Sequence, residues 1–220
     1  MNKDRPNHST PDTRPSISVV IHLVDDDPSF RTALTRLLRA ANYDVRGYAS
    51  AKEFLDAAPY NAPGCLLLDL KMPGTTGLDL QQAMAGMDEP LPIIFLSGNG
   101  DIPASVRAMK AGAVDFLTKP VERKNLLEAI EIALERDASE RKARANLRAL
   151  RQRYETLTPR EREVLAHVVS GKLNKQIAFA LGTTERTIKA HRGSITDKLG
   201  FQSVAELTRM AQNLGIEPAP

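Results

Sequence analysis

The chain has 220 residues, 42% of them apolar, a net charge of +3 and one cysteine. This length exceeds one typical domain and allows two small cores, while the lone Cys65 excludes an internal disulfide and cysteine-ligated zinc. No apolar run approaches the ~20 residues that span a bilayer, and the polar, proline-containing start over 1–16 lacks the apolar region of a signal peptide. These features predict a soluble, cytoplasmic protein with a disordered tail over 1–16 and no membrane partner.

From 17 to 136, short apolar runs alternate with segments of helical period, the pattern of a parallel sheet covered by helices. Strands are expected at 18–24, 44–48, 65–69, 93–97 and 113–117. The first helix carries an apolar stripe of Phe30, Ala33, Leu34, Leu37, Leu38 and Ala41, opened by Asp27 as N-cap with Pro28 at the first helical position. Further helices are expected at 51–57, 78–85, 103–111 and 122–136. Helix-favouring sequence continues over 137–155 as a helical linker, in which Ala143, Leu147, Leu150, Tyr154 and Leu157 recur at steps of four and three. That short seam suits either pairing with a second chain or packing on its own domain.

Residues 156–220 show four helix signals and no strand, an all-α domain. Thr158-Pro159-Arg160-Glu161 is a capping box closed at Gly171; a short helix over 174–181 ends at Gly182; Thr184 caps a third that stops at Gly200; Ser203 with Glu206 opens the last. Charge is uneven, acidic at Asp25, Asp26 and Asp27 and basic from Arg136 to Arg153 and from Arg186 to Lys198. A polyanionic partner would explain the basic segments, and so would solvated helix faces.

A parallel sheet places its ligand site at the carboxyl ends of its strands, which brings together Asp25 and Asp26, Asp69, Ser97 and Lys119. Converging carboxylates ask for a divalent cation, and all-oxygen ligation favours magnesium, with manganese as the alternative. Such an ion makes phosphoryl transfer onto a carboxylate feasible.

The motifs Val24-Asp25-Asp26-Asp27, Leu68-Asp69-Leu70-Lys71-Met72-Pro73-Gly74, Gly77, Leu96-Ser97-Gly98 and Asp115-Phe116-Leu117-Thr118-Lys119-Pro120 resemble a response-regulator receiver, in that order and at receiver spacing. The resemblance implies a flavodoxin-like five-stranded sheet with helices on both faces. It implies Asp69 as the acceptor of a phosphoryl group from a sensor histidine kinase. Magnesium would be held by Asp25, Asp26, Asp69 and the main-chain carbonyl of Lys71. Ser97 and Lys119 would bind the phosphoryl oxygens, with Phe116 as an aromatic switch responding to Ser97. Homodimerisation on phosphorylation is the implied output step.

In the second domain, the short helix, the turn at Gly182 and the cationic helix over 185–199 form a helix-turn-helix whose second helix would enter the major groove. Helical spacing puts Ile188, Ile195 and Leu199 on a core face, Arg186, Lys189, Ala190 and Gly193 on the opposite face, and His191, Arg192 and Lys198 at the flanks where phosphates would be met. Leu157 to Leu165, Asn174-Lys175-Gln176-Ile177-Ala178 and Thr187-Ile188-Lys189-Ala190-His191-Arg192 resemble a LuxR-type effector domain. With the receiver, this is similar to the FixJ/NarL group of transcription regulators, not to an enzyme. The resemblance adds Lys175 and Thr187 to Lys189 and Arg192 as DNA contacts, with promoter DNA and RNA polymerase as partners. Gly193 departs from the larger residue some members carry there, leaving base preference open. Alternatives are a phosphorylation-independent regulator, a phosphorelay intermediate using the receiver alone, and an RNA-binding output.

Overall fold

The computed structural model describes residues 19–58, 60, 62–98, 102–201 and 203–219. The expected tail over 1–16 lies outside them. The chain divides into two compact units, one through Ser139 and one from Glu140 onward, with the division falling inside a helix. No described helix is long and apolar enough to cross a membrane.

The first unit holds β1 (Val20–Val24), α1 (Pro28–Ala40), β2 (Asp44–Tyr48), α2 (Ala51–Asp56), β3 (Gly64–Asp69), α3 (Gly77–Met84), β4 (Ile93–Ser97), α4 (Ile102–Lys110), β5 (Asp115–Thr118) and the start of α5 (Arg123–Glu155). The strands form one parallel sheet in the order β2-β1-β3-β4-β5, the flavodoxin-like order. Period-two alternation sorts the central strands between two cores. Leu66, Leu68, Ile93 and Phe95 face a core completed by Phe54 of α2, Leu80 and Met84 of α3 and Ala104 and Ala108 of α4. Cys65, Leu67, Ile94 and Leu96 face the opposite core, completed by Leu34 and Leu38 of α1 and Leu126 and Ile130 of α5. Burial on both faces is why β3 and β4 read as unbroken apolar runs. It also pushes the Cys65 thiol up to about 12, with the nearby Asp137 charge adding to the effect, so this cysteine is an inert core residue.

The sequence places most elements to within a residue or two. The largest strand difference is β5, expected at 113–117 and found at Asp115–Thr118. Its start is displaced because α4 ends through Gly112, whose φ is +91°. There the Ala113 N–H turns back to the Ala108 carbonyl, so Ala113 belongs to the cap and Val114 makes the first bond to β4. The expected linker over 137–155 is helical but not separate, since α5 runs unbroken from Arg123 to Glu155. Its residue Asp137, placed in the linker by the sequence, is fully buried and its carboxylate accepts the Gly64 N–H at 3.0 Å. The receiver packing therefore extends past the expected boundary at 136.

The second unit holds the end of α5, α6 (Pro159–Val169), α7 (Asn174–Ala180), α8 (Glu185–Leu199) and α9 (Val204–Leu214) around one core of Leu157, Val164, Leu165, Ile177, Ile188, Ile195, Leu199 and Leu207. Thr158 and Ser203 make the expected capping boxes, and Thr184 caps α8. Leu150 and Tyr154 pack against this same core. Most of the α5 seam is thus occupied within its own domain, leaving only Ala143 and Leu147 of those residues exposed.

Candidate functional site

Four strand ends deliver the polar groups of the first unit. Asp25 follows β1 and is fully buried, Asp69 ends β3 and is 5% exposed, Ser97 ends β4 and is 1% exposed, and Lys119 follows β5. The Lys119 ammonium lies 2.6 Å from Asp25 Oδ2 and 2.6 Å from Asp69 Oδ1. Its main chain is held in place because the Lys119 N–H donates to the Ser97 carbonyl at 2.7 Å; the Lys119–Pro120 peptide is cis. The remaining carboxylate oxygens are also engaged: Asp25 Oδ1 accepts the Asp27 N–H at 2.9 Å, and Asp69 Oδ2 accepts the Lys71 N–H at 3.0 Å.

Burial is the largest influence on Asp69 and raises its carboxyl above the ordinary range; the Asp25 charge acts the same way, against the Lys119 ammonium and the Lys71 N–H. Burial pulls Lys119 down, but the two carboxylates outweigh it and leave its ammonium raised. One cation is thus locked between two carboxylates in a water-poor pocket. Asp26 is exposed, and no group of three or more His, Cys, Asp or Glu among the described residues is arranged to hold a metal. The donor chemistry nevertheless fits a hard divalent ion, since Asp25 and Asp69 already bracket a cation with oxygen ligands only. Phe116 is half-buried and stacks on Phe95 with centroids 6.2 Å apart.

Two neighbours of this site were not marked by the sequence as functional. Phe30, read as part of the α1 apolar stripe, has its ring centroid 4.2 Å from the Lys119 ammonium. Arg31 reaches back to donate to the Asp25 carbonyl at 2.5 Å. Asp27 is the N-cap of α1, accepting the Ser29 and Phe30 N–H groups, as its place before Pro28 implies.

In the second unit, α8 presents Arg186, Thr187, Lys189 and Ala190 as exposed residues, while Ile188, Ile195 and Leu199 are buried. Lys175 on α7 is exposed too. Gly193 faces open space, with no atom within 4 Å of where a Cβ would sit. Arg192 is half-buried and donates to Asn174 Oδ1 at 2.9 Å, which ties α8 to the start of α7.

Lys198, expected at the flank of α8, has a partner within the domain that the sequence did not indicate. Its ammonium binds Glu161 at 3.0 Å and 2.7 Å through the two carboxylate oxygens, and Ser194 donates to the same carboxylate at 2.6 Å. Glu161 is only 4% exposed, so removing its cation would leave a buried charge. Lys198 is thus the counter-ion of Glu161 while itself remaining exposed at the surface of α8. The capping box, in which Glu161 receives the Thr158 N–H at 2.7 Å, revealed only half of the role of Glu161, which also binds Ser194 and Lys198.

Comparison with known proteins agrees with both halves of this architecture. The profile of the response regulator receiver domain matches residues 21–131, and that of bacterial regulatory proteins of the luxR family matches residues 155–211. Nodulation protein W of Bradyrhizobium diazoefficiens is 43% identical over 93% of this chain and 90% of its own length. The transcriptional regulatory protein FixJ of the same organism is 38% identical over 89% of this chain and 96% of its own. Among solved structures, the response regulator StyR superposes with a TM-score of 0.77 at 42% identity, covering 89% of this chain and 98% of that one. The chain belongs to the response-regulator family, as a receiver domain followed by a DNA-binding domain of the luxR type.

Proposed function

We propose that Asp69 accepts a phosphoryl group from a sensor histidine kinase and that this modification controls transcription through α8. The observation that carries this reading is the Lys119 ammonium placed 2.6 Å from both Asp25 and Asp69 at the carboxyl ends of three strands. An Asp69 oxygen attacks phosphorus, the phosphorus–nitrogen bond of the donor phosphohistidine breaks, and its electron pair leaves with the imidazole. Lys119 and Ser97 receive the phosphoryl oxygens, and Asp25 holds the lysine in reach. Magnesium, or manganese in its place, would be held by Asp25, Asp26, Asp69 and the Lys71 carbonyl, and when bound it neutralises charge on the transferring group.

Output is proposed to run from Ser97 and Phe116 to the face of α4, where Ile102, Val106 and Met109 form an exposed apolar stripe. A contiguous apolar patch of this kind supports a homodimer formed on phosphorylation. Two helix-turn-helix domains would then occupy half-sites about 34 Å apart, with Arg186, Thr187, Lys189 and Ala190 toward the groove and Lys175 and Arg192 toward phosphates. RNA polymerase is the partner at the promoter, and the cytoplasm the compartment.

Two measurements test this. With acetyl phosphate and magnesium, the wild-type chain should become labelled and Asp69→Asn should not; equal labelling of both would remove Asp69 from its role. Lys189→Ala should weaken promoter binding by about 1–3 kcal/mol if it reads a base and by less, uniformly across sequences, if it meets a phosphate. Unchanged affinity would take Lys189 out of the interface.

A further inference from the structure

We propose that Phe30 is a positioning residue of the phosphorylation site, its ring holding the Lys119 ammonium against Asp25 and Asp69 and thereby setting how fast Asp69 gains a phosphoryl group. The inference rests on the reading of Asp69 given above. The ammonium lies 4.2 Å from the Phe30 ring centroid, well within the ~6 Å over which an aromatic face attracts a cation. The ring is fixed from both directions. Behind it, Phe30 packs against the core shared by α1 and α5. At its backbone, the Phe30 N–H is held by the Asp27 carboxylate at 3.2 Å, in the first turn of a helix started by Pro28. In front of it stands Lys119, whose side chain is 20% exposed.

The chemistry of the ring suits a site that must gain negative charge. A third carboxylate in this position would also hold the lysine, but it would compete with the incoming phosphoryl oxygens for the ammonium. An aromatic face attracts the cation through its quadrupole and carries no net charge, so it keeps Lys119 in place and leaves the positive charge available. Apolar packing alone would be served equally well by leucine, and the two roles separate on that substitution.

The test uses the full chain. With acetyl phosphate and magnesium, Phe30→Leu should slow the phosphorylation of Asp69 by about three- to tenfold, whereas Phe30→Tyr, which keeps the ring, should stay within about twofold of wild type. In the absence of metal and phosphodonor, the Lys119 ε-methylene proton resonances should be shifted upfield by the ring in wild type and in Phe30→Tyr, and should return to the ordinary lysine position in Phe30→Leu. Phe30→Met, a second apolar side chain without a ring face, carries the same expectation where the leucine variant is poorly folded. A wild-type labelling rate in Phe30→Leu, or Lys119 resonances that do not move, overturns the proposal while the wild-type chain still labels at Asp69. Failure of the wild-type chain to label would instead overturn the reading of Asp69.

Discussion

Replacing Glu161 by glutamine is expected to destabilise the C-terminal domain by about 2–3 kcal/mol at neutral pH. Bonds from Lys198, then Ser194, then Thr158 depress its carboxyl from 4.5 to about 2, burial acting in the opposite direction. A carboxyl whose folded-state pKa is depressed contributes stability above its unfolded value, here 4.5, and that contribution is lost as pH falls toward about 2. The wild-type domain should therefore lose stability between about pH 5 and pH 2 more steeply than the Glu161→Gln variant. Urea denaturation of the C-terminal domain at pH 7 and pH 3 checks this; parallel pH profiles for the two proteins would show that Glu161 is not the linked group. The effect has a functional side, because Ser194 and Lys198 both belong to α8 and Glu161 to the first turn of α6. Loosening this tie should broaden the orientations of the proposed recognition helix and weaken DNA binding without removing a DNA contact.

Gly64→Ala is expected to have the largest effect in the receiver, about 3 kcal/mol or more, at the top of the range for overpacking. A Cβ on Gly64 would stand 2.0 Å from the Val20 carbonyl oxygen and 3.0 Å from its carbon. Both are main-chain atoms of the neighbouring strand, and Val20 is paired with Gly64 in the sheet, so no rotamer change relieves the clash. Gly47→Ala is the control, since β2 lies at the sheet edge and no atom comes within 4 Å of that Cβ. Hydrogen exchange of the β1 and β3 amides should accelerate strongly in Gly64→Ala and hardly change in Gly47→Ala. Equal protection in both variants would mean that β1 and β3 can separate at little cost.

Residues whose roles follow from local pattern were legible in the sequence. The strand runs of β3 and β4, the cap of α1 by Asp27 and the boxes at Thr158 and Ser203 need only near neighbours to be recognised. The convergence of Asp25, Asp69, Ser97 and Lys119 was legible because a parallel sheet gathers strand ends by rule. Contacts that depend on side-chain reach between distant elements were not. Nothing near Phe30 in sequence announces Lys119, and nothing near Lys198 announces Glu161, 37 residues away. The seam on α5 left two readings open because a helix packing on its own domain and one pairing with a second chain carry the same spacing.

The bond from the Gly64 N–H to the Asp137 carboxylate bears on how the receiver can be cut free. The family profile ends at residue 131 and the expected boundary fell at 136, yet the acceptor for a main-chain donor at the start of β3 lies just beyond both. A fragment stopping before Asp137 would leave that N–H without this acceptor at the opposite end of the strand that carries Asp69. An unsatisfied buried donor of this kind typically costs about 1–3 kcal/mol. Kinetics measured on a receiver trimmed to its profile would thus describe a weakened β3, whereas a fragment carried through Ser139 keeps the Asp137 acceptor.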